Sequence, residues 1–350
     1  MQGLIGLAVG FLLIWFLLRG ISWEELKSSV TGVSVGWLLL AQIPIWLSFF
    51  TRILRWSYIV RAVHPASFRS MFSATQLAFL ANFTIAMRIG EFVRALVLSR
   101  LAGISFSKSL ALGALDRVTD LIGLMAVMLV TVAAFRPTDD IILPEGLFGF
   151  EKLPPIRAGL IQSTGAAVAV GLVGLLFVLV MLYVNQKLVI RVTRAVVGRV
   201  SSRIADWVCH LFEQFAQGLH VFRSVGDMAK STAYSLVTWS FFMLALYFTL
   251  NAFHISYPWY GPFVIQSLLA LAVSAPIAPG MLGQFHLPLV AGIIIVSPDT
   301  PITDATALAI VTHLTNLFPV IILGILSIMM EGVGILKFRS STDTSNEEAR

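Results

Sequence analysis

The chain has 350 residues, 57% hydrophobic and 12% charged, with a formal net charge of +6, a mean hydropathy of +0.88 and a sequence pI near 9.7. Soluble domains carry about 25% charged residues, so this composition excludes an ordinary soluble enzyme and leaves little material for a separate water-soluble domain. The single cysteine, Cys209, excludes an intramolecular disulfide and a cysteine-rich metal site, and the expected class is an all-α polytopic membrane protein.

In chain order, the first apolar run extends from Leu4 to Leu18. No basic residue precedes it and no small-residue cleavage site follows, which reads as a retained span rather than a signal peptide. A spanning helix needs about 20 mostly apolar residues. Such runs lie at 3–19, 35–54, 109–134, 164–185, 232–253 and 305–331. Two further apolar regions, 71–99 and 263–296, are interrupted, and each half is short for a span. Each is expected to form a re-entrant hairpin or a pair of short helices. The stretch 187–222 mixes Val189, Val196, Ile204, Trp207 and Phe212 with arginines. It reads either as a basic amphipathic helix pair on the inner leaflet or as a solvated basic connector. The polar segment 339–350 is expected to be a disordered tail, leaving 1–338 as a single transmembrane domain.

Loop charge orients these segments, because cytoplasmic loops are enriched in Lys and Arg. Arg52 at the end of the second span and Arg55, Arg61 and Arg69 after it are basic, Arg100 and Lys108 follow the first interrupted region, and the 187–230 connector is strongly basic. These belong inside. The proline-rich 135–160 connection carries Asp139, Asp140, Glu145 and Glu151 against Arg136, Lys152 and Arg157, and the 254–262 and 297–304 connections have no Lys or Arg. These belong outside, so both termini are expected on the cytoplasmic side of the inner membrane. The first interrupted region then enters from the inside and the second from the outside. Units 35–134 and 232–331 are therefore expected to form an inverted-topology repeat, with a site at the interrupted helices.

The first interruption carries Arg88, Gly90, Glu91 and Arg94. A charge at the bilayer centre costs roughly 2.5–3.5 kcal/mol on insertion scales, so such residues usually face a bundle interior or a wet cavity. Spaced by three, the charges share one helical face, and arginine offers a planar fork suited to phosphate oxygens. The alternative is a helix end whose arginines snorkel to the interface. Asp116, Arg117 and Asp120 sit early in the next span, either lining a polar cavity or forming a structural ion pair. The second interruption holds Pro276, Pro279, Gly280 and Gly283, followed by His286, with His313 in the last span. Proline removes a backbone donor and glycine tolerates the resulting backbone, whose freed polar groups need protein or a wet cavity. Both histidines can change charge near neutral pH, and each can equally be a hydrogen-bonded helix residue. No P-loop, zinc-ligand or nucleic-acid signature occurs, so no cofactor, metal or nucleic acid is expected and ATP-driven transport by this chain alone is disfavoured.

These motifs resemble the lysylphosphatidylglycerol synthase transmembrane-region family, also called flippase-like. Its R-x-G-E-x-x-R element is matched by Arg88, Gly90, Glu91 and Arg94, and its acidic-R-x-x-D element by Asp116, Arg117 and Asp120. Its late P-G-G-L-G-x-x-E element is matched by Pro279, Gly280, Leu282 and Gly283, with Met281 in place of glycine and His286 in place of the acid. A late family arginine is replaced by His313. The similarity covers roughly residues 5–335. It implies a multipass inner-membrane protein that moves lipids or lipid-linked molecules between leaflets. The synthase activity of fused members is not implied, because these 350 residues leave no room for that domain. The expected partner is a membrane lipid: an anionic phospholipid, a lipid-linked precursor or a hopanoid-like lipid. The expected function is a lipid flippase whose Arg88, Arg94 and Arg117 receive an anionic head while Glu91 and His286 balance charge or couple to protons. The rival readings are an intramembrane enzyme acting on a lipid head group and a non-catalytic partner of envelope-lipid biosynthesis enzymes.

Overall fold

The structure, a computed structural model, describes residues 2–85, 89–199, 201–219, 225–274 and 278–332. Among these the secondary structure is helical, apart from a single antiparallel bridge between Ile141 and Ile156. The chain is an all-α polytopic membrane protein. Among the described residues, six stretches are by length and composition long and apolar enough to cross a membrane: Val35–Val63, Phe106–Ala134, Ala158–Val178, Gly226–Ala252, Pro279–Val296 and Ile302–Glu331.

Helix α1 (Gln2–Leu18) is followed by the short α2 (Trp23–Thr31). Ser22 starts α2 with a capping box, its hydroxyl accepting from the Glu25 amide while the Glu25 carboxylate accepts from the Ser22 amide. This element is not legible in the hydropathy, since its apolar residues are few. The long α3 (Val35–Val63) continues past the expected end at 54, because Trp56, Ile59 and Val60 keep the helix buried on one side. Helix α3 packs antiparallel against α9 (Val225–Ala252), with Ser34 donating to the Ala252 carbonyl at one end and Thr51 meeting Thr238 at 2.8 Å further in. Buried small and hydroxyl residues on both helices, among them Ala41, Ser48, Ser231, Ser235 and Ala245, suit a membrane interior, where close backbone approach replaces the hydrophobic drive of water.

The first interrupted region is a helical pair, α4 (Phe68–Thr84) and α5 (Gly90–Ala102), joined across residues 85–89. The two helices pack against each other, so the pair doubles back. Its open end is tied to neighbouring helix ends: Arg69 pairs with Glu331 at 3.0 Å and His64 donates to the Ala102 carbonyl at 2.8 Å. The second interrupted region is α10 (Gly261–Ser274), a 3₁₀ turn at Pro279–Met281, and α11 (His286–Val296). It too doubles back, with Gly292 seated against Ile265 and Gly261 beside Val296. Its open end lies where α9 finishes and α12 (Ile302–Glu331) begins. The two tips meet in the interior, Gly280 facing the Phe83 ring and carbonyl. Packing is reciprocal: α4 lies on α12 as α10 lies on α6 (Phe106–Ala134), and α5 lies on α6 as α11 lies on α12.

The expected span at 164–185 is the first part of α7 (Ala158–Val197). Asn185 leaves helical geometry (φ −149°, ψ 72°) and its carboxamide caps the continuation by accepting from the Leu188 amide at 3.1 Å. That continuation packs on α8 (Ser202–Leu219), so the basic connector is helical over much of its length. Leu188, Val192, Val196, Ile204 and Trp207 remain exposed on it. Arg88, Pro276 and the 339–350 tail lie outside the described residues.

Candidate functional site

Three helices bring charge together. Arg55 comes from α3, Glu91 and Arg94 from α5, and Asp116, Arg117 and Asp120 from α6. Asp116 is the centre. One of its oxygens accepts from Arg55 Nε at 2.9 Å and the other from Arg94 at 2.7 Å. A second donor of Arg55 reaches Asp120 at 2.5 Å, and Arg117 pairs with Glu91 and lies 3.7 Å from Asp120. Helix α9 closes the group from the side, with Ser235 Oγ 3.4 Å from Arg55 and the Trp239 indole donating to the Asp120 carbonyl at 3.2 Å. A side chain at Gly123 would strike Trp239, which explains a glycine in mid-helix.

Depth follows from helix geometry. Arg55 and Arg94 lie about eight residues from the tied ends of α3 and α5, and Asp116 about ten from the start of α6, so the network is about 12–15 Å along its helices from that end. Desolvating so many charges is tolerable only where each is paired and hydrogen-bonded. Arg55, Arg94 and Asp116 are nearly fully buried, and the Arg94 guanidinium lies 3.5 Å over the Trp56 ring. The Arg117 and Glu91 side chains keep 41% and 29% exposure, so these two face outward. They look into a narrow cleft with about 10 Å3 of enclosed space, room for one water-sized group, lined also by Arg52, Thr75, Ala78, Phe79 and Asn82.

The break in the first pair is held by Asn82, whose carbonyl oxygen accepts from the Gly90 amide at 2.7 Å. A methyl group at Gly90 would overlap the Ala78 carbonyl and Asn82, so the family-like glycine is there for close approach. The second break is held in the same manner by Gln284. Its carboxamide accepts from Ala278 at 3.4 Å and donates to the Ala272 carbonyl at 2.6 Å. Gly280, Met281 and Gly283 take φ of 60°, 56° and 71°. Met281 therefore carries the left-handed backbone that a glycine adopts without cost. Pro279 opens the turn, and Gly283 also sits tight against Leu13 of α1.

His286 and His313 meet edge to face with ring centroids 4.7 Å apart. The Gly283 amide donates to His286 Nδ1 at 3.2 Å, and His313 stacks on Phe285 at 4.9 Å and also contacts Phe83. His313 Nε2 is buried without a hydrogen-bond partner among the described residues. The histidines do not line the charged cleft. The two polar groups instead flank the end of α4, with Ala78, Phe79 and Asn82 toward the charges and Phe83 toward the histidines.

Arg52, Arg55, Thr75 and Asn82 belong to this region yet escape a sequence reading. Arg55 looks like a loop charge if α3 stops at 54, and Arg52 then sits in the last turn of that span. The signal that keeps them inside the helix is the apolar spacing Ile53, Trp56, Ile59, Val60. Nothing in the sequence distinguishes Thr75 or Asn82 from other polar residues of α4. No group of three or more metal-ligating side chains occurs among the described residues.

Comparison with known proteins adds two findings. Glycosyltransferase AglD of Haloferax volcanii is 27% identical over 271 residues, which cover 73% of this chain and 42% of that protein. The chain thus spans less than half the length of that curated relative. The family model of the lysylphosphatidylglycerol synthase TM region matches residues 3–324, nearly the whole chain. By that match the chain belongs to the lysylphosphatidylglycerol synthase transmembrane-region family.

Proposed function

We propose that this protein moves a lipid or lipid-linked molecule between the leaflets of the cytoplasmic membrane, sheltering the polar head in the cleft beside the α4–α5 break. The observation that carries the reading is a charge network about 12–15 Å along its helices whose Arg117–Glu91 edge stays open to a cleft. Charges at such depth are expensive and mark substrate or ion paths. Arg117 and Glu91 are the head-group-facing residues in this reading. Asp116, Asp120 and Arg94 hold them in position, and Gly90, Pro279, Gly280 and Gly283 shape the two breaks. His286 and His313 form a second polar point on the path. Opposed hairpins, reciprocal packing and tips that touch support an inverted repeat of 35–134 and 232–331 in one transmembrane domain. Loop charge supports cytoplasmic termini.

A second reading, chemistry on a lipid-linked sugar, draws support from the name of the Haloferax volcanii relative. It would use Glu91 as acid or base. Purified protein in liposomes separates the two. The transport reading expects faster leaflet exchange of a labelled lipid, slowed about tenfold or more by Glu91→Gln through loss of a charge-assisted bond. Exchange no faster than in empty liposomes across neutral, anionic and lipid-linked sugar substrates sinks transport. A chemically altered lipid recovered from the same vesicles favours the enzyme.

A further inference from the structure

The cleft region holds one more cation than carboxylates. Four guanidiniums, Arg52, Arg55, Arg94 and Arg117, face three carboxylates, Glu91, Asp116 and Asp120, and each carboxylate is already engaged. Arg52 is the cation left over. No carboxylate among the described residues lies within ion-pair distance of it. Its guanidinium is held instead between two rings, 5.1 Å from Phe79 and 4.8 Å from Phe242. Aromatic faces stabilise a cation only modestly, which does not replace a counter-ion at membrane depth. Thr75 lies one turn before Phe79 on α4 and is 2% exposed, and its hydroxyl lines the same cleft without a hydrogen-bond partner. Arg94 Nε is likewise unpartnered, and one acceptor, Glu91 Oε2, shares that state. Buried polar atoms left open in this way call for water or a ligand.

We propose that Arg52 and Thr75 form an oxyanion site that receives a phosphate oxygen, with the half-exposed Arg117 at its rim. The planar guanidinium matches phosphate geometry, the ring pair fixes its plane, and the hydroxyl supplies a third donor. The site deepens the head-group reading of the same cleft by naming the class of head group, a phosphate ester, and it rests on that reading only for the identity of the carrier. Free phosphate is the other source of the same chemistry.

The test is binding to the full-length protein in detergent, followed by calorimetry. Three probes are used: short-chain phosphatidic acid, the diacylglycerol of equal chain length, and inorganic phosphate. Wild type should bind the phosphatidic acid saturably and the diacylglycerol at least about tenfold more weakly. Arg52→Gln should remove that preference, Arg52→Lys should keep part of it, and Thr75→Val, nearly isosteric, should weaken phosphate-lipid binding severalfold. Competition by inorganic phosphate at concentrations similar to the lipid would identify free phosphate as ligand and still support the oxyanion site. Equal affinity for the two lipids, or Arg52→Gln and Thr75→Val variants that melt normally and bind as wild type, would overturn the proposal. Leaflet exchange measured in parallel keeps the outcomes apart. Phosphate-dependent binding without exchange retains the site and removes the transport reading, whereas exchange with Arg52-independent binding does the reverse.

Discussion

Asp116 accepts from Arg55 Nε at 2.9 Å although the two residues are 61 positions apart in the chain. This bond, with the 2.7 Å bond from Arg94 to the other oxygen, ties α3, α5 and α6 at one point. Removing one member of a buried ion pair leaves an uncompensated charge and typically costs about 3–5 kcal/mol, whereas apolar replacement of both partners can be nearly neutral. Asp116→Asn is therefore expected to destabilise the protein by about that amount, read as a loss of melting temperature in detergent. The Arg55→Met, Asp116→Leu double variant should lose less than the sum of the single changes. Strict additivity would mean that the pair does not couple the helices.

Gly90 tests the geometry of the first break. Its substitution by alanine pushes a methyl into the Ala78 carbonyl and the Asn82 carboxamide. Overpacking of this kind costs about 1–3 kcal/mol. Gly36→Ala, with nothing within 4 Å, provides the contrast, and should be neutral or slightly stabilising. Equal melting temperatures for the two variants would contradict the close approach of α4 and α5.

Met281 tests the second break. A left-handed backbone costs an L-residue roughly 1–2 kcal/mol and is least tolerated by β-branched side chains. With φ at 56°, Met281→Val should be destabilising while Met281→Gly should be tolerated or mildly stabilising. The reverse order would remove the reason given for glycine in the P-G-G-L-G pattern.

Sidedness is open to chemical labelling, because the native Cys209 is 1% exposed. Single cysteines replacing the exposed Glu145 and Asp299 should react with a membrane-impermeant maleimide in intact cells. One replacing Ser107, at the start of α6, should react only after permeabilisation. Labelling of the Ser107 variant from outside would invert the proposed orientation and with it the direction from which the α4–α5 pair enters.

Much of the architecture is legible before folding. Membrane class, the long spans and the two interrupted regions follow from hydropathy and from where Pro and Gly fall, because lipid leaves the backbone few alternatives to continuous helix. The Gly90-Glu91 and Asp116-Arg117 pairs are likewise visible as charges in apolar surroundings. The end of α3 is not, since a hydropathy window reads Arg52 as the last turn of the span and Arg55 as the start of a loop. Burial against α6 and α9 is what makes a charged turn of helix affordable there, and that burial is a property of packing.

The sequence by itself determined the class of protein, its family-like motifs and the two places where the membrane core must be polar. Only the tertiary structure decided which charges cancel. Asp116 is engaged by Arg55 and Arg94, and Arg117 by Glu91, so among the described residues lining the cleft the arginine without a carboxylate in ion-pair distance is Arg52, which no motif contains. The physical reason is range. Hydropathy and helical spacing act over a few residues, whereas charge compensation in a low-dielectric interior depends on distances of about 3–4 Å between helices far apart in the chain.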